Sequence, residues 1–373
     1  MVKCLAIINE PPMHPRSWSG AARFLFGELR DNGTLVDALD VRMSKLEDRL
    51  FRLRNFRMPM DAWKEAYHVD PRFFRRQTEI VRDKIAAFGD GFDAVLQCGA
   101  YYRVSDTTDR PCFTYQDGTI VTRIAAGNIG LPATSPEMRA CVSWENDLYR
   151  DLRGFFTFSG WLADKVMKDF GVPHSKIVVA GCGLNFDPLP AVVTQRNLAP
   201  RFLIVGRDFK RKGGYILLDA FRIVRKQLRD AQLVIIGPEL RDLPDGVECL
   251  GFLGRERHED VERLENEYQR ASIYVLPSLY EPFGISLLEA MAHGLPCIGI
   301  RDFAMPEIIA ERETGLLVER GDANSLAKAM IELASSPDMG TAFGLAGRKR
   351  LEQQFTWKAV ARRMADAMTT MSR

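Results

Sequence analysis

At 373 residues the chain is long for one hydrophobic core and comfortable for two domains of ordinary size. Hydrophobic residues at 46%, charged residues at 27% and a net charge of +2 describe a globular protein too balanced to argue for nucleic acid. The seven cysteines are scattered without a Cys-x-x-Cys, which suits a reducing compartment and excludes a zinc site, and no apolar run nears the roughly 18 residues of a membrane span.

The apolar run inside 3–9 is too short for a signal-peptide core and reads as a buried first strand, so a cytoplasmic chain is expected. The loop 10–20 holds Pro11, Pro12 and Pro15 and cannot be helix. Ser17 or Ser19 can cap the next helix, which carries Ala22, Phe24, Leu25 and Leu29 and ends at Asn32-Gly33. Strand, glycine-containing loop and helix make the first unit of a doubly wound α/β domain, whose ligands sit at the carboxyl ends of the strands. Gly20 at the helix start can admit a diphosphate to the backbone, or belong to a plain capping loop.

Over 42–84, basic residues including Arg42, Lys45, Arg49, Arg52, Arg54 and Arg57 outnumber the acidic ones and interleave with Leu50, Phe51, Leu53, Phe56 and Trp63. Such a surface can lie on an anionic membrane face. It can also be a solvated helix surface whose arginine stems cover a core. Buried strands follow at 94–98 and 111–116, the second ending in Asp117-Gly118-Thr119 ahead of a helix. Asp117 thus stands at a strand's carboxyl end, either to meet a ligand or to form an Asx turn that caps the helix. Phe155 to Phe158 is a strand, Ser159 caps the next helix, and Gly171 with Pro173 stops it. After a strand from Lys176 to Ala180, Gly181-Cys182-Gly183 is only part of a Gly-x-Gly-x-x-Gly, because Phe186 holds the third position.

A fresh α/β unit opens at the strand 201–205, followed by Gly206-Arg207, the basic loop 208–214 and a helix carrying Leu217, Phe221 and Val224. Arg207 and Lys212 flank this loop and can reach one edge, where fixed cations stabilise a leaving diphosphate as its charge grows. Lys210 and Arg211 are expected in solvent. Phe252 and Leu253 lie in a strand-and-turn of the type that presents backbone groups to a nucleotide base. The run 273–277 reads as a strand, and helical spacing of Leu287, Leu288 and Met291 starts a helix near Gly284. Glu281 is then in the loop and Glu289 inside the helix. Phe283, Gly284 and Ile285 form a helix N-terminus open to an anionic or polyhydroxylated ligand. A strand at 296–300, a short one at 314–318 and helices over 322–333, 341–351 and 357–371 complete the chain.

The run from Phe155 to Asn185, the pattern Val-Gly-Arg … Lys-Gly-Gly at 205–214, the Glu-x7-Glu pair, Met305-Pro306-Glu307 and Thr314-Gly315-Leu316 together resemble the retaining glycosyltransferases of the GT-B kind, in particular the large family 4. Phe303-Ala304 stands where that family carries a glycine pair. The resemblance implies an α/β fold of GT-B architecture, two Rossmann-like doubly wound domains facing across a cleft. It implies an acceptor-side domain at 1–186, a linker at 187–200, a nucleotide-sugar-binding domain at 201–355 and a helix at 356–373 crossing back to the first domain. It further implies that Glu281 holds the donor sugar, Glu289 the ribose, and Arg207 with Lys212 the diphosphate. The loop of Gly20 approaches the phosphates, and Asp117 replaces a histidine that touches the sugar.

No Asp-x-Asp, Walker loop or Gly-x-Ser-x-Gly is present. The expectation is a metal-independent, retaining transferase without a cofactor, using a UDP- or GDP-linked sugar. Its acceptor is a sugar or lipid-linked glycan, its site is cytoplasmic or peripheral at the inner membrane face, and nucleic acid is no partner. An epimerase or hydrolase on the same fold, or a non-catalytic nucleotide-sugar-binding protein, are the alternatives.

Overall fold

The computed structural model describes residues 2–15, 17–186, 188–193 and 199–372. It divides the chain into two compact units, one of Met1–Gly183 with Trp357–Arg373 and one of Leu184–Thr356. The expected linker 187–200 falls partly on residues 187 and 194–198, which lie outside the described residues.

The first unit opens with β1 (Cys4–Ile8), α1 (Ala21–Asp31) and β2 (Leu35–Asp40), followed by α2 (Lys45–Arg54), α3 (Met60–His68) and α4 (Pro71–Phe88). It continues through β3 (Ala94–Cys98), β4 (Cys112–Gln116), α5 (Ile120–Ala125), α6 (Pro136–Asp151), β5 (Gly154–Thr157), α7 (Gly160–Phe170) and β6 (Ile177–Val179). The six strands are parallel in the order β2-β1-β3-β4-β5-β6. Helices on both faces leave β1, β3, β4 and β5 buried throughout, which is why their sequences are mostly apolar, and the polar residues among them, Gln97, Thr114, Gln116 and Thr157, are buried too. One core cluster includes Leu5, Ile7, Val95, Phe155 and Leu162; a second, including Ala66, Phe73, Phe74, Ile120 and Met138, joins the helices.

The second unit runs β7 (Arg201–Val205), α8 (Gly214–Gln227), β8 (Gln232–Ile236), β9 (Val247–Cys249), α9 (His258–Arg270) and β10 (Ile273–Val275). Then come α10 (Ile285–Ala292), β11 (Cys297–Ile300), α11 (Met305–Ile308), β12 (Gly315–Val318), α12 (Ala323–Ala334) and α13 (Pro337–Gln354). Its strands are again all parallel, in the order β12-β11-β10-β7-β8-β9. The last helix, α14 (Trp357–Met371), belongs to the first unit, where Arg363 Nε donates to Ala180 O at 2.8 Å.

Both sheets reverse their strand order beside their first strand, between β1 and β3 and between β7 and β10. In open α/β sheets, the crevice outside the carboxyl ends at such a reversal is where ligands bind. The fold therefore nominates two edges, and the loops that follow these strands decide what each can do.

One buried carboxyl in the first unit has a definite cost. Both oxygens of Glu145, on α6, accept from Ile120 N–H at 3.1 and 3.0 Å, at the start of α5. Burial pushes this carboxyl up to about 8, against the Ile120 N–H and the charge of Arg123, which pull it down. A raised folded pKa means that the protonated group suits the fold, so its contribution is full at low pH and is lost as pH rises through about 8. Glu145→Gln keeps an acceptor for Ile120 without a charge. Melting curves should fall less steeply for this variant than for the wild type as pH is raised from mildly acidic to mildly alkaline; parallel curves would refute the assignment.

Candidate functional site at the second sheet's reversal

The loop after β7 leads through Arg207 to α8, and the loop after β10 leads through Glu281 to α10. Because β7 and β10 are neighbours, the two loops are tied together. Leu279 N–H donates to Arg211 O at 2.7 Å, and Arg211 Nη1 donates to Tyr280 O at 2.8 Å. Lys212 Nζ lies 2.9 Å from Glu281 Oε2, with the two side chains 11% and 12% exposed. Two glycines make room for this approach. A Cβ on Gly206 would overlap the Lys212 stem, and one on Gly213, at φ 71°, would overlap Pro277 O.

The donors converge on one oxygen. Glu281 Oε2 accepts from Lys212 Nζ, from Arg211 Nη1 at 3.3 Å and from Ser278 Oγ at 3.3 Å. Oε1 has no protein donor among the described residues and is not sealed from solvent. An ammonium carries three donors, so Lys212 can hold Glu281 and still offer N–H groups to a ligand. Burial pushes the Glu281 carboxyl up, but the Lys212 and Arg211 charges outweigh it and hold the group below its ordinary value of 4.5. Beside it, α10 starts at Gly284, φ 103°, without a side-chain cap, so its first N–H groups are available.

Arg207 is exposed and lies over the Phe252 ring, 4.6 Å from its centroid, with no carboxylate partner among the described residues. Glu289 differs from Glu281. Arg255 Nη2 pairs with its Oε1, and Tyr268 Oη donates to its Oε2 at 3.0 Å. Arg255 in turn stands over Phe186 at 5.3 Å. Each carboxylate oxygen keeps a second lone pair, so hydroxyl groups can still be accepted. Among the described residues no group of three or more His, Cys, Asp or Glu side chains is placed to hold a metal ion.

In the first unit, Asp117 follows β4 and is half-buried. Thr119, in a capping box with Thr122, is the N-cap of α5. Gly20 starts α1 at φ 90°, preceded by Trp18 and Ser19, which are also left-handed at φ 50° and 57°. A left-handed tryptophan is strained, and it is held by its ring contacts with Tyr115 and Phe158 and by a 2.6 Å hydrogen bond from its N–H to Glu10.

Residues 199–336, which span β7 to α12, match the family described as glycosyl transferases group 1. Over this segment of the second unit the chain is similar to the glycosyl transferases group 1. It is 32% identical over 200 residues to the phosphatidyl-myo-inositol mannosyltransferase of Mycobacterium leprae, covering 51% of this chain and 52% of that protein. It superposes on sucrose-phosphate synthase from Thermosynechococcus elongatus with a TM-score of 0.74 at 18% identity, over 99% of both chains. It also superposes on Anabaena HepE, solved with UDP, with a TM-score of 0.67 at 14% identity, over 99% of this chain and 100% of that one. At such identities the likeness is one of fold, the GT-B architecture. The chain spans about half the length of the curated relatives it matches.

Within the group 1 segment, the reversal gathers Glu281, Lys212, Arg207, Gly284 and Ile285 around neighbouring loops. Phe283 is different: its side chain is 4% exposed and packs toward Phe355, so only its backbone can serve a ligand. Leu253 is likewise buried, and Phe252 offers a ring to Arg207, where the sequence suggested backbone groups for a base. Arg211, expected in solvent, is half-buried and hydrogen-bonded to Tyr280 and Glu281. Arg255 and Tyr268 were not nominated by the sequence at all.

A depressed carboxyl pKa contributes stability above its unfolded value and loses it as pH falls through the folded value. Wild type should therefore melt above Glu281→Gln at pH values over 4.5, and the gap should close on acidification. A gap independent of pH would show that the ion pair is not its source. In Gly206→Ala the new methyl must displace Lys212, so the melting temperature should fall and the same pH-dependence should shrink.

Proposed function

We propose that the chain is a retaining, metal-independent glycosyltransferase that moves a sugar from a nucleotide-diphosphate donor, UDP- or GDP-linked, to a sugar or lipid-linked glycan. The observation that carries this reading is Glu281, anchored through one oxygen by two cations and a serine while the other stays open beside a helix N-terminus. An open carboxylate oxygen suits a sugar hydroxyl, and adjacent cations suit the diphosphate that the sugar leaves. In this reading Glu281 orients the donor sugar, Arg207 and Lys212 hold the diphosphate, and Glu289 accepts from the ribose.

In the reaction proposed, the bond between the sugar's anomeric carbon and the diphosphate oxygen breaks. The acceptor hydroxyl oxygen bonds to that carbon from the same face, and its proton passes to the departing phosphate oxygen. The charge that grows on the leaving group is met by groups already in place, which is where preorganised cations lower a barrier most. Acceptor recognition is assigned to the first unit, with Asp117 among its candidates. A lipid-linked acceptor would set the enzyme at a membrane face.

Donor turnover measured with and without acceptor separates this reading from its alternatives. Cleavage without acceptor at the full rate would indicate a hydrolase, a changed sugar an epimerase, and binding without any turnover a non-catalytic protein. Glu281→Ala should abolish transfer while nucleotide still binds, and Glu289→Ala should weaken nucleotide binding. Arg207→Ala and Lys212→Ala should each lower turnover by roughly 10²–10³-fold, the scale of one preorganised donor. Chelator should leave the rate unchanged; loss restored by a divalent ion would overturn the metal-free mechanism.

A further inference from the structure

Glu289 is 7% exposed, and its two partners differ in how firmly they are held. Tyr268, on α9, is fully buried, and its ring stacks on His293 at 4.7 Å and on Tyr274 at 6.0 Å. His293 ends α10, and its Nδ1 lies 2.8 Å from the backbone carbonyl oxygen of Glu289. Tyrosine, histidine and the glutamate backbone therefore lock one another in place. Burial holds the Tyr268 pKa well above the usual tyrosine value, so its hydroxyl stays protonated and donates to Glu289 Oε2 at 3.0 Å. This side of the carboxylate is fixed.

Arg255, the partner on Oε1, is different, because its side chain is 30% exposed. Its backbone is tied down. Gly254 N–H donates to Asp260 Oδ2 at 3.0 Å, and Arg257 reaches both oxygens of the same carboxylate at 2.9 and 2.8 Å. The loop between β9 and α9 is thus held on either side of Arg255, which leaves the freedom to its side chain. The guanidinium also stands over the Phe186 ring at 5.3 Å, a second place where a cation can rest.

We infer that Arg255 competes with the donor's ribose for Glu289, and so sets how strongly the site selects nucleotides that carry both ribose hydroxyls. This rests on the reading of Glu289 as the ribose acceptor. With Tyr268 filling the inner side, a diol must reach the carboxylate from the side that Arg255 occupies. Its hydroxyls then replace the guanidinium on Oε1, and the cation is left to Phe186 and to water. The exchange gives up an ion pair that is open to solvent on one side, which costs a factor of a few in affinity. The opposite role, a guanidinium that aims Glu289 at the ribose, fits the geometry less well, since Tyr268 and His293 already fix the carboxylate. Arg255 acts on the nucleotide through Glu289 and is a specificity-determining residue, with no part in bond breaking.

The test is isothermal titration of the full chain with UDP and GDP and with their dideoxy forms, which lack both ribose hydroxyls. The quantity read is the Kd of the dideoxy form divided by that of the ribonucleotide. Losing a cation near the diphosphate affects both ligands and cancels in this ratio. Arg255→Gln should raise the ratio roughly fivefold, the scale of a partly exposed ion pair. Arg255→Lys, which keeps the charge, should fall between wild type and Arg255→Gln. Glu289→Gln should lower the ratio, and adding Arg255→Gln to it should change nothing further. Arg255 lies in a loop that Asp260 holds without it, so its variants should fold as wild type does. A ratio that Arg255→Gln lowers would make Arg255 a helper of the ribose, and an unchanged ratio would make it indifferent. Either overturns the inference and leaves the ribose reading standing, provided Glu289→Gln lowers the ratio. Equal binding of both forms by wild type, Arg255→Gln and Glu289→Gln alike, or no binding of either nucleotide, would overturn the reading of Glu289 and the inference with it.

Discussion

The second unit is organised around the Lys212–Glu281 pair, which joins the loops of the two strands where the sheet reverses. Taking two charges out of water is expensive, and their attraction returns this only when geometry and further hydrogen bonds are good. Two apolar side chains of similar size would serve stability as well. The pair is therefore better understood as a positioning device: it fixes one carboxylate oxygen so that the other faces outward. Gly206 and Gly213 are the conditions for it, since a side chain at either would occupy the space of the lysine stem or of the facing loop.

The two glutamates of the Glu-x7-Glu pattern have become chemically distinct through their neighbours. Glu281 is held from one side only, and its pairing keeps it ionised. Glu289 is held on both oxygens by groups from elsewhere in the unit, Arg255 after β9 and Tyr268 on α9. A ligand hydroxyl can approach Glu281 without displacing anything, whereas at Glu289 it must share the carboxylate with Arg255 and Tyr268. This difference in competition makes Glu281 the more accessible acceptor of the two.

Much of this arrangement was legible in the sequence because it is local. Buried parallel strands are mostly apolar runs, and the glycines at 206, 213 and 284 mark strand-to-helix turns. The placement of Arg207, Lys212, Glu281 and Glu289 relative to those turns followed directly. What was not legible depends on partners distant in the chain. Arg211 looked solvated because its acceptors, Tyr280 and Glu281, come some 70 residues later. Arg255 gave no signal, since its turn is basic like any surface loop and Glu289 is 34 residues away. The helix α9, with a sequence charged along most of its length, shows too few apolar positions for its period to stand out. Phe283 is the opposite case: its position beside the glycine points to a ligand, while its ring, which the local sequence does not place, packs toward Phe355.

Comparing the two sheet reversals shows why topology alone does not assign chemistry. Both units build a six-stranded parallel sheet that reverses its strand order beside its first strand, so both offer a crevice at the carboxyl ends. In the second unit the loops there supply Arg207, Arg211 and Lys212 with an uncapped helix start, a setting that attracts phosphate. In the first unit the loop after β1 supplies Glu10, which is already bonded to Trp18 N–H, and the loop after β4 supplies Asp117. Carboxylates repel a diphosphate and accept from hydroxyl groups. One reversal thus carries Arg207, Arg211 and Lys212 and the other Glu10 and Asp117, so the loop residues, and not the strand reversal, distinguish the two edges.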